Sequence, residues 1–274
     1  MNIVWGGLFV LGVSAVTILA MLLVRRRAPD GSYFSDGDRA SGVFGVLATG
    51  FSVLLGFLIF LAFGSYDESR SGAETEANVV AQQVETSQFL PAATAMTVTG
   101  QLVCYARSVV GPEWDALDEG TLSDSVNPWG VAMYQTLRAA DPKSYAEQSA
   151  YDRWMDQSTD RQEARISRIH GAEGIVPSPL WVVLGVISGV IFVYMLFFAD
   201  SAERAKTQAV LMGSVTTVIT LLLLLLVFFD HPHGGGVGRL QPTAMERTLR
   251  LIEAQTEAAD VDVEVPCDGR GKPS

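Results

Sequence analysis

Four long apolar runs dominate the pattern of hydrophobic and polar positions along the chain. They cover residues 3–24, 43–64, 180–199 and 207–229, and none of them contains a charged side chain. A helix of about 20 residues crosses a hydrocarbon core about 30 Å thick. The pattern therefore predicts four transmembrane helices, arranged as two pairs on either side of a long polar segment.

The polar segment between the second and third runs has the period of amphipathic helices rather than of strands. Its clearest apolar stripe steps by three and four residues along Ala95, Val98, Leu102, Tyr105 and Val109. Such spacing places apolar side chains on one helix face. The segment is therefore predicted to be helical.

Local signals predict where helices in this segment begin and end. Asn127-Pro128 and Asp141-Pro142 each read as an N-cap followed by a proline, which opens a helix. Gly111-Pro112 reads as a helix end.

These elements predict an all-α integral membrane protein. Its first transmembrane hairpin covers residues 1–64, and its second covers residues 180–229. A helical domain over residues 65–179 separates the hairpins, and a tail over residues 230–274 follows them.

The basic residues of the short loops predict how the chain is oriented. Loops 25–42 and 200–206 contain Arg25, Arg26, Arg27, Arg39, Arg204 and Lys206. Because loops rich in Lys and Arg stay in the cytoplasm, both termini and residues 65–179 are predicted to lie outside a bacterial cytoplasmic membrane.

Cys104 and Cys267 are the two cysteines of the chain, and both fall on the predicted outer side. An extracytoplasmic compartment permits a disulfide between them. Two free buried thiols and a pair between subunits are the alternatives.

Composition excludes several classes of protein. Hydrophobic residues make up 49% and charged residues 18%, which excludes a disordered chain. The net charge of −11 argues against binding to nucleic acid through a broad basic surface. No nucleotide-binding, zinc-protease or nucleophile motif is present. We therefore predict no enzyme activity and no cofactor; the expected partners are the lipid bilayer and either further copies of the chain or another membrane protein.

One group of possible metal ligands follows the fourth apolar run. Asp230, His231 and His233 could bind zinc or copper. The alternative is a polar cap at the membrane interface, followed by the flexible turn of Gly234, Gly235 and Gly236.

Polar residues cluster where the second run ends. The cluster comprises Asp67, Glu68, Arg70, Glu74, Glu76 and Asn78. Around the axis of an oligomer these side chains could form a charged vestibule. Alternatively, Asp67 or Glu68 pairs with Arg70 or with Arg161, Arg165 and Arg168.

Small and weakly polar residues form a stripe inside the second run, at Gly45, Thr49, Ser52 and Gly56. Small residues usually allow close helix packing in membranes. A pore lining that includes Thr49 and Ser52 is the alternative.

The stretch from Gly56 to Pro91 resembles the membrane-exit motif of the bacterial bestrophin-like family. The motif residues are Tyr66-Asp67, Arg70, Glu76-Ala77-Asn78 and Leu90-Pro91. A second, shorter match comprises Asp230, Pro232, Gly236, Arg239 and Pro242. The chain departs from the family at Ser69 and Ser71, where a second basic residue is common.

The resemblance implies kinship with bestrophins, which are pentameric anion channels whose large domain is cytosolic. Two functions are therefore predicted. The first is an oligomeric ion channel whose second span lines the pore, with Asp67 and Glu68 at its outer mouth. The alternative is a membrane-anchored scaffold or accessory subunit that binds an envelope partner through its acidic outer domain.

Overall fold

The computed structural model describes residues 3–121, 127–172, 174–258 and 263–274, and these residues form an all-helical structure. The helices are α1 (Ile3–Arg25), α2 (Gly37–Ser87), α3 (Ala92–Ser108), α4 (Trp114–Asp118), α5 (Pro128–Arg138), α6 (Tyr145–Ile169), α7 (Ser178–Phe197), α8 (Ala205–Asp230) and α9 (Thr243–Ala258).

Four of these helices, α1, α2, α7 and α8, are long and apolar enough to cross a membrane. They cover the four apolar runs except for the last two residues of the third, since α7 ends at Phe197. The prediction of four candidate spans is therefore confirmed. Helix α2 extends far beyond its apolar run, because its 51 residues continue without a break to Ser87.

The chain divides into two compact units. The first, called here the membrane unit, comprises residues 1–64, 174–230 and 235–237. The second, called the helical unit, comprises residues 65–173, 231–234 and 238–274. Helix α2 contributes its first part to the membrane unit and its second part to the helical unit.

Apolar side chains of α2, α7 and α8 form the core of the membrane unit. Leu55 of α2, Leu184 of α7 and Leu226 of α8 are each at most 1% exposed. A polar contact also joins two of its helices, since the Ser14 hydroxyl of α1 and the Thr217 hydroxyl of α8 hydrogen-bond at 2.9 Å. Large apolar side chains on the outer surface remain exposed, as expected for helices that face lipid.

The core of the helical unit forms where α2, α3, α5 and α6 meet. The predicted stripe of α3 is part of this core, since Val98 and Leu102 are fully buried. Met133 of α5 and Trp154 of α6 pack into the same cluster. The amphipathic period of the sequence therefore identified the buried face of α3.

The helix boundaries confirm one predicted cap and correct another. Asn127 caps α5, and its side chain accepts a hydrogen bond from the backbone N–H of Trp129 at 3.2 Å. Asp141 does not cap α6. Ser144 does so instead, in a capping box with Glu147, because each of these side chains bonds the other residue's backbone N–H.

The predicted helix end at Gly111-Pro112 is confirmed. Helix α3 ends at Ser108, and the helical path breaks at Gly111, which has φ −97° and ψ −106°. After this kink the short helix α4 begins at Trp114. The kink carries Glu113 into the interior, where this carboxylate is only 3% exposed.

The C-terminal segment is fastened to α3 and α5. A disulfide joins Cys104 of α3 to Cys267. The indole N–H of Trp129 donates to the backbone carbonyl of Gly271 at 2.6 Å. Residues 263–274 are thus part of the helical unit rather than an appendage to it.

Candidate functional site

A buried ion network lies at the centre of the helical unit. Nε of Arg168 on α6 lies 2.5 Å from Oε2 of Glu76 on α2, and its Nη2 lies 2.8 Å from Oε2 of Glu113. All three side chains are at most 3% exposed. The Tyr105 hydroxyl donates a hydrogen bond to Oε1 of Glu76 at 2.5 Å.

A close helix crossing sets the geometry of this network. A Cβ atom added to Gly72 of α2 would lie 2.8 Å from the backbone oxygen of Ala164 on α6, and closer still to the backbone nitrogen of Arg168. The two backbones are therefore in direct contact at Gly72. Glu76 follows one turn later and faces Arg168.

Burial and charge shift the pKa values of the network. Burial, reinforced by the negative charge of Glu76, raises the pKa of Tyr105 well above its usual value, so the phenol stays neutral. Burial alone lowers the pKa of Arg168, but the Glu76 and Glu113 carboxylates outweigh it and raise that pKa. Arg168 is therefore a permanent cation at this position.

Two further arginines of α6 extend the network. Nε of Arg165 donates to Oε2 of Glu113 at 3.3 Å, and the Asn127 amide donates to Oε1 of the same carboxylate at 2.7 Å. Arg161 donates to the amide oxygen of Gln83 at 2.5 Å and lies 4.8 Å from the centre of the Tyr105 ring.

Glu76 therefore does not belong to a vestibule. It is fully buried and held by Arg168 and Tyr105, which corrects its prediction as a vestibule residue. Arg165 and Arg168 pair with Glu113 and Glu76, rather than with Asp67 or Glu68 as one interpretation proposed.

The remaining members of the predicted cluster are exposed. Asp67, Glu68 and Asn78 lie on the surface of α2. Nε of Arg70 lies 3.2 Å from Oε1 of Glu74 one turn later. Oε2 of Glu68 lies 3.8 Å from Nε2 of His170.

The stripe of small residues in the membrane unit is also exposed. Thr49 and Ser52 lie on the surface of α2. A Cβ added to Gly45 or Gly56 would meet no described atom within 4 Å beyond neighbouring residues and the helix's own backbone. The structure therefore shows no helix of the same chain packed closely against these glycines.

The predicted metal ligands do not form a site. Among the described residues, no three His, Cys, Asp or Glu side chains come together in a geometry for a metal ion. Oδ1 of Asp230 instead accepts the backbone N–H groups of Ile175 and Val176, each at 2.8 Å.

His233 is buried against an aromatic ring rather than presented to solvent. Its ring centre lies 5.5 Å from that of Trp114, and the side chain is 6% exposed. Burial, with a smaller contribution from Arg168 and Arg239, lowers the pKa of His233 to about 4. The imidazole is therefore neutral at physiological pH.

Sequence reasoning missed the acceptor Glu113 and the donor role of Tyr105. The sequence pattern places Tyr105 in the apolar stripe of α3, and its ring is indeed in the core. The pattern does not predict that its hydroxyl binds Glu76. Glu113 follows a Gly-Pro pair that ends a helix, and the kink at Gly111 brings it inward in a direction that the sequence does not reveal. The one available signal was the spacing of Arg161, Arg165 and Arg168 on a single face of α6.

Comparisons with known proteins agree with this architecture. Two crystal structures of a bacterial bestrophin homologue from Klebsiella pneumoniae are similar to the chain. One of them, a variant with a single substitution, is 14% identical to this chain with a TM-score of 0.70. Its alignment covers 90% of this chain and 98% of the homologue's chain. The other, solved by zinc phasing, is 16% identical with a TM-score of 0.69 and covers 93% and 99%.

These likenesses concern the fold alone. No curated protein sequence matches the chain significantly. The family model of the bestrophin-like domain, however, matches residues 7–245, which is most of the chain. The chain is therefore a membrane protein that belongs to the bestrophin-like family.

Proposed function

We propose that the protein is an oligomeric ion channel in which α2 of each subunit lines the pore. The observation that carries this proposal is the unpartnered face of α2 in the membrane unit. Gly45, Thr49, Ser52 and Gly56 are small or weakly polar, and all four are exposed within a single chain. A face of this kind suits the wall of a narrow aqueous path better than contact with lipid tails.

The same spacing continues along the helix. After Gly56, steps of three or four residues reach Phe60, Phe63, Asp67, Arg70, Glu74 and Asn78, all of them exposed. The path would pass from small polar residues through an aromatic constriction to charged groups. Apolar constrictions gate channels by excluding water, and charged rings select ions.

Asp67 and Glu68 are the carboxylates we place at the outer mouth. Both are exposed. Glu76, in contrast, is buried in an ion pair with Arg168 and does not contribute to the mouth. Acidic rings attract cations and repel anions. Reversal of these two charges should therefore shift ion selectivity towards anions.

We place residues 65–179 and both termini outside a bacterial cytoplasmic membrane. The arginines and lysine of loops 25–42 and 200–206 support this orientation. The disulfide between Cys104 and Cys267 also supports it, because such bonds persist in oxidising compartments.

The first experiment is a native mass measurement of the full chain in mild detergent, followed by ion flux in liposomes. A stable ring of four or more subunits that conducts ions is the expected result. A monomer or dimer without flux would overturn the channel and favour the alternative, a membrane-anchored scaffold that binds a partner through its acidic domain.

The selectivity test replaces both carboxylates with Asp67→Lys and Glu68→Lys. The matched control is Asp156→Lys with Asp160→Lys, which reverses two exposed charges on α6. The first pair should shift the reversal potential in a salt gradient, and the control pair should not. An equal or absent shift for the two pairs would remove Asp67 and Glu68 from the ion path.

A further inference from the structure

The ion network of the helical unit is not electrically balanced. Arg161 and Arg168 supply two buried positive charges and Arg165 a third, partly exposed one, while Glu76 and Glu113 supply two negative charges. Glu76 and Glu113 both pair with Arg168, and Glu113 also pairs with Arg165. The uncompensated charge therefore belongs to Arg161.

Arg161 is a buried cation with no carboxylate in direct contact, and the charge of Glu76, which Arg168 already binds, acts on it only from a distance. Its side chain is 6% exposed, and in the part of the chain that the structure describes no carboxylate lies within ion-pair distance of it. Its contacts are the neutral Gln83 oxygen, the Met133 sulfur at 3.7 Å, and the faces of Tyr105 and Trp154. Burying an unpaired charge is costly, so a built-in cation of this kind calls for a counterion.

A cleft of about 570 Å³ opens beside this guanidinium. Its polar lining includes Tyr134, Ser158, Thr159, Arg161, Gln162 and Arg165. No described Asp or Glu is among the lining residues, although the whole chain carries a net charge of −11. Two arginines and a set of hydroxyl and amide groups form a lining suited to an anion.

The volume of the cleft and its apolar lining indicate which class of ligand it could hold. Val131 and Met155 line it together with the Tyr134 ring. Small-molecule sites typically measure about 300–1,000 Å³ and combine apolar walls with a few polar groups. A single inorganic ion would use only the arginine end, whereas an organic acid would use both ends.

We propose that this cleft binds a small organic carboxylate, with its anionic group on Arg161 and Arg165 and its apolar body against Val131, Tyr134 and Met155. The planar guanidinium fork matches the two oxygens of a carboxylate. The site lies wholly within the helical unit and is independent of the proposed pore. Its test therefore needs neither oligomer nor flux.

The experiment uses benzoate as the probe and the full chain purified in mild detergent. Saturation-transfer NMR and the benzoate-dependent rise in melting temperature report binding, with acetate, phosphate and chloride as separate arms at matched ionic strength. Benzoate should bind saturably. Arg161→Gln should weaken it by about ten- to a hundred-fold, as expected for a lost charged hydrogen bond, while Arg153→Gln, an exposed arginine of the same helix, should leave it unchanged.

A second variant, at Thr159, tests the same site if Arg161→Gln fails to fold. Thr159 is exposed and lines the cleft, so Thr159→Glu places a carboxylate there without disturbing the core. Benzoate binding should weaken in Thr159→Glu and persist in Thr159→Gln. Absence of saturable benzoate binding to the wild type, binding of phosphate or chloride alone, or equal binding to Thr159→Glu and Thr159→Gln would overturn the proposal.

Discussion

The two units of this chain place polar and apolar groups in opposite ways. In the membrane unit, large apolar side chains such as Val46 and Phe60 are at least 70% exposed. In the helical unit, charged side chains such as Glu76 and Arg168 are at most 1% exposed. The first unit exposes apolar side chains as helices that face lipid do, whereas the second buries charged side chains that pair with one another inside an apolar core.

The glycines along α2 show the same contrast between its two parts. In the membrane unit, a Cβ added to Gly45, Gly56 or Gly64 would meet no described atom within 4 Å beyond its neighbours and its own helix. In the helical unit, a Cβ on Gly72 would strike the backbone of α6. Contacts within one chain therefore require a glycine at position 72 but not at the other three positions, which remain available for contacts between subunits.

Removing one partner of the buried network should have the largest effect on stability. Glu76→Gln leaves Arg168 with Glu113 as its remaining carboxylate, and it should lower the free energy of unfolding of the helical unit by about 3–5 kcal/mol. Melting in mild detergent, followed by circular dichroism, measures this effect. Glu74→Gln, which removes an exposed ion pair with Arg70, is the control and should change little. Equal effects would contradict the network as described.

Breaking the disulfide should have the next largest effect. The bond joins residues 163 positions apart, and its loss should destabilise the helical unit by about 2–4 kcal/mol. The double variant Cys104→Ser with Cys267→Ser should melt at the temperature of the reduced wild type and should not respond to a reductant. A wild type that is equally insensitive to reductant would show that the thiols are not bridged.

Replacing a glycine of α2 by alanine adds one methyl group and tests whether Gly72 and Gly64 differ in the space around them. Gly72→Ala should destabilise the protein by about 1–3 kcal/mol because the α2 and α6 backbones must separate. Gly64→Ala should be neutral or slightly stabilising, since alanine favours a helix. The difference in melting temperature between these two variants is the measurement, and a reversed order would refute the direct backbone contact.

Acid should weaken the helical unit through His233. The pKa of this residue is about 4 in the folded state because of burial, while the unfolded value is about 6.5. The unfolded chain therefore binds the extra proton first, and stability falls as the pH decreases from about 7 to 5, by about 1–2 kcal/mol. His233→Phe should remove this part of the pH dependence of melting, whereas His170→Gln should retain it.

Much of the fold could be predicted from residue patterns. Uncharged apolar runs predicted the candidate spans, and the period of α3 predicted its buried face. The cap at Asn127 could also be predicted, because an Asn directly before a proline commonly caps the start of a helix. The cap at Asp141 was not, because Ser144 with Glu147 offered a competing capping box three residues later.

The buried network could not be predicted, because its members come from distant parts of the chain. Glu76 lies 92 residues from Arg168, and Glu113 lies 55 residues from it. In the sequence, Glu76 looks the same as the exposed Glu74. What distinguishes them is the contact at Gly72, which turns Glu76 towards α6 and leaves Glu74 in solvent.

Thiol accessibility of α2 tests the central claim most directly. Because both natural cysteines are bonded to each other, Thr49→Cys introduces a single free thiol on the proposed pore wall. A charged, water-soluble thiol reagent should block ion flux through this variant in liposomes and should leave flux unchanged for Val210→Cys, an exposed position on α8. Flux that persists after complete modification of residue 49, or that is blocked equally at residue 210, would contradict a pore lined by α2.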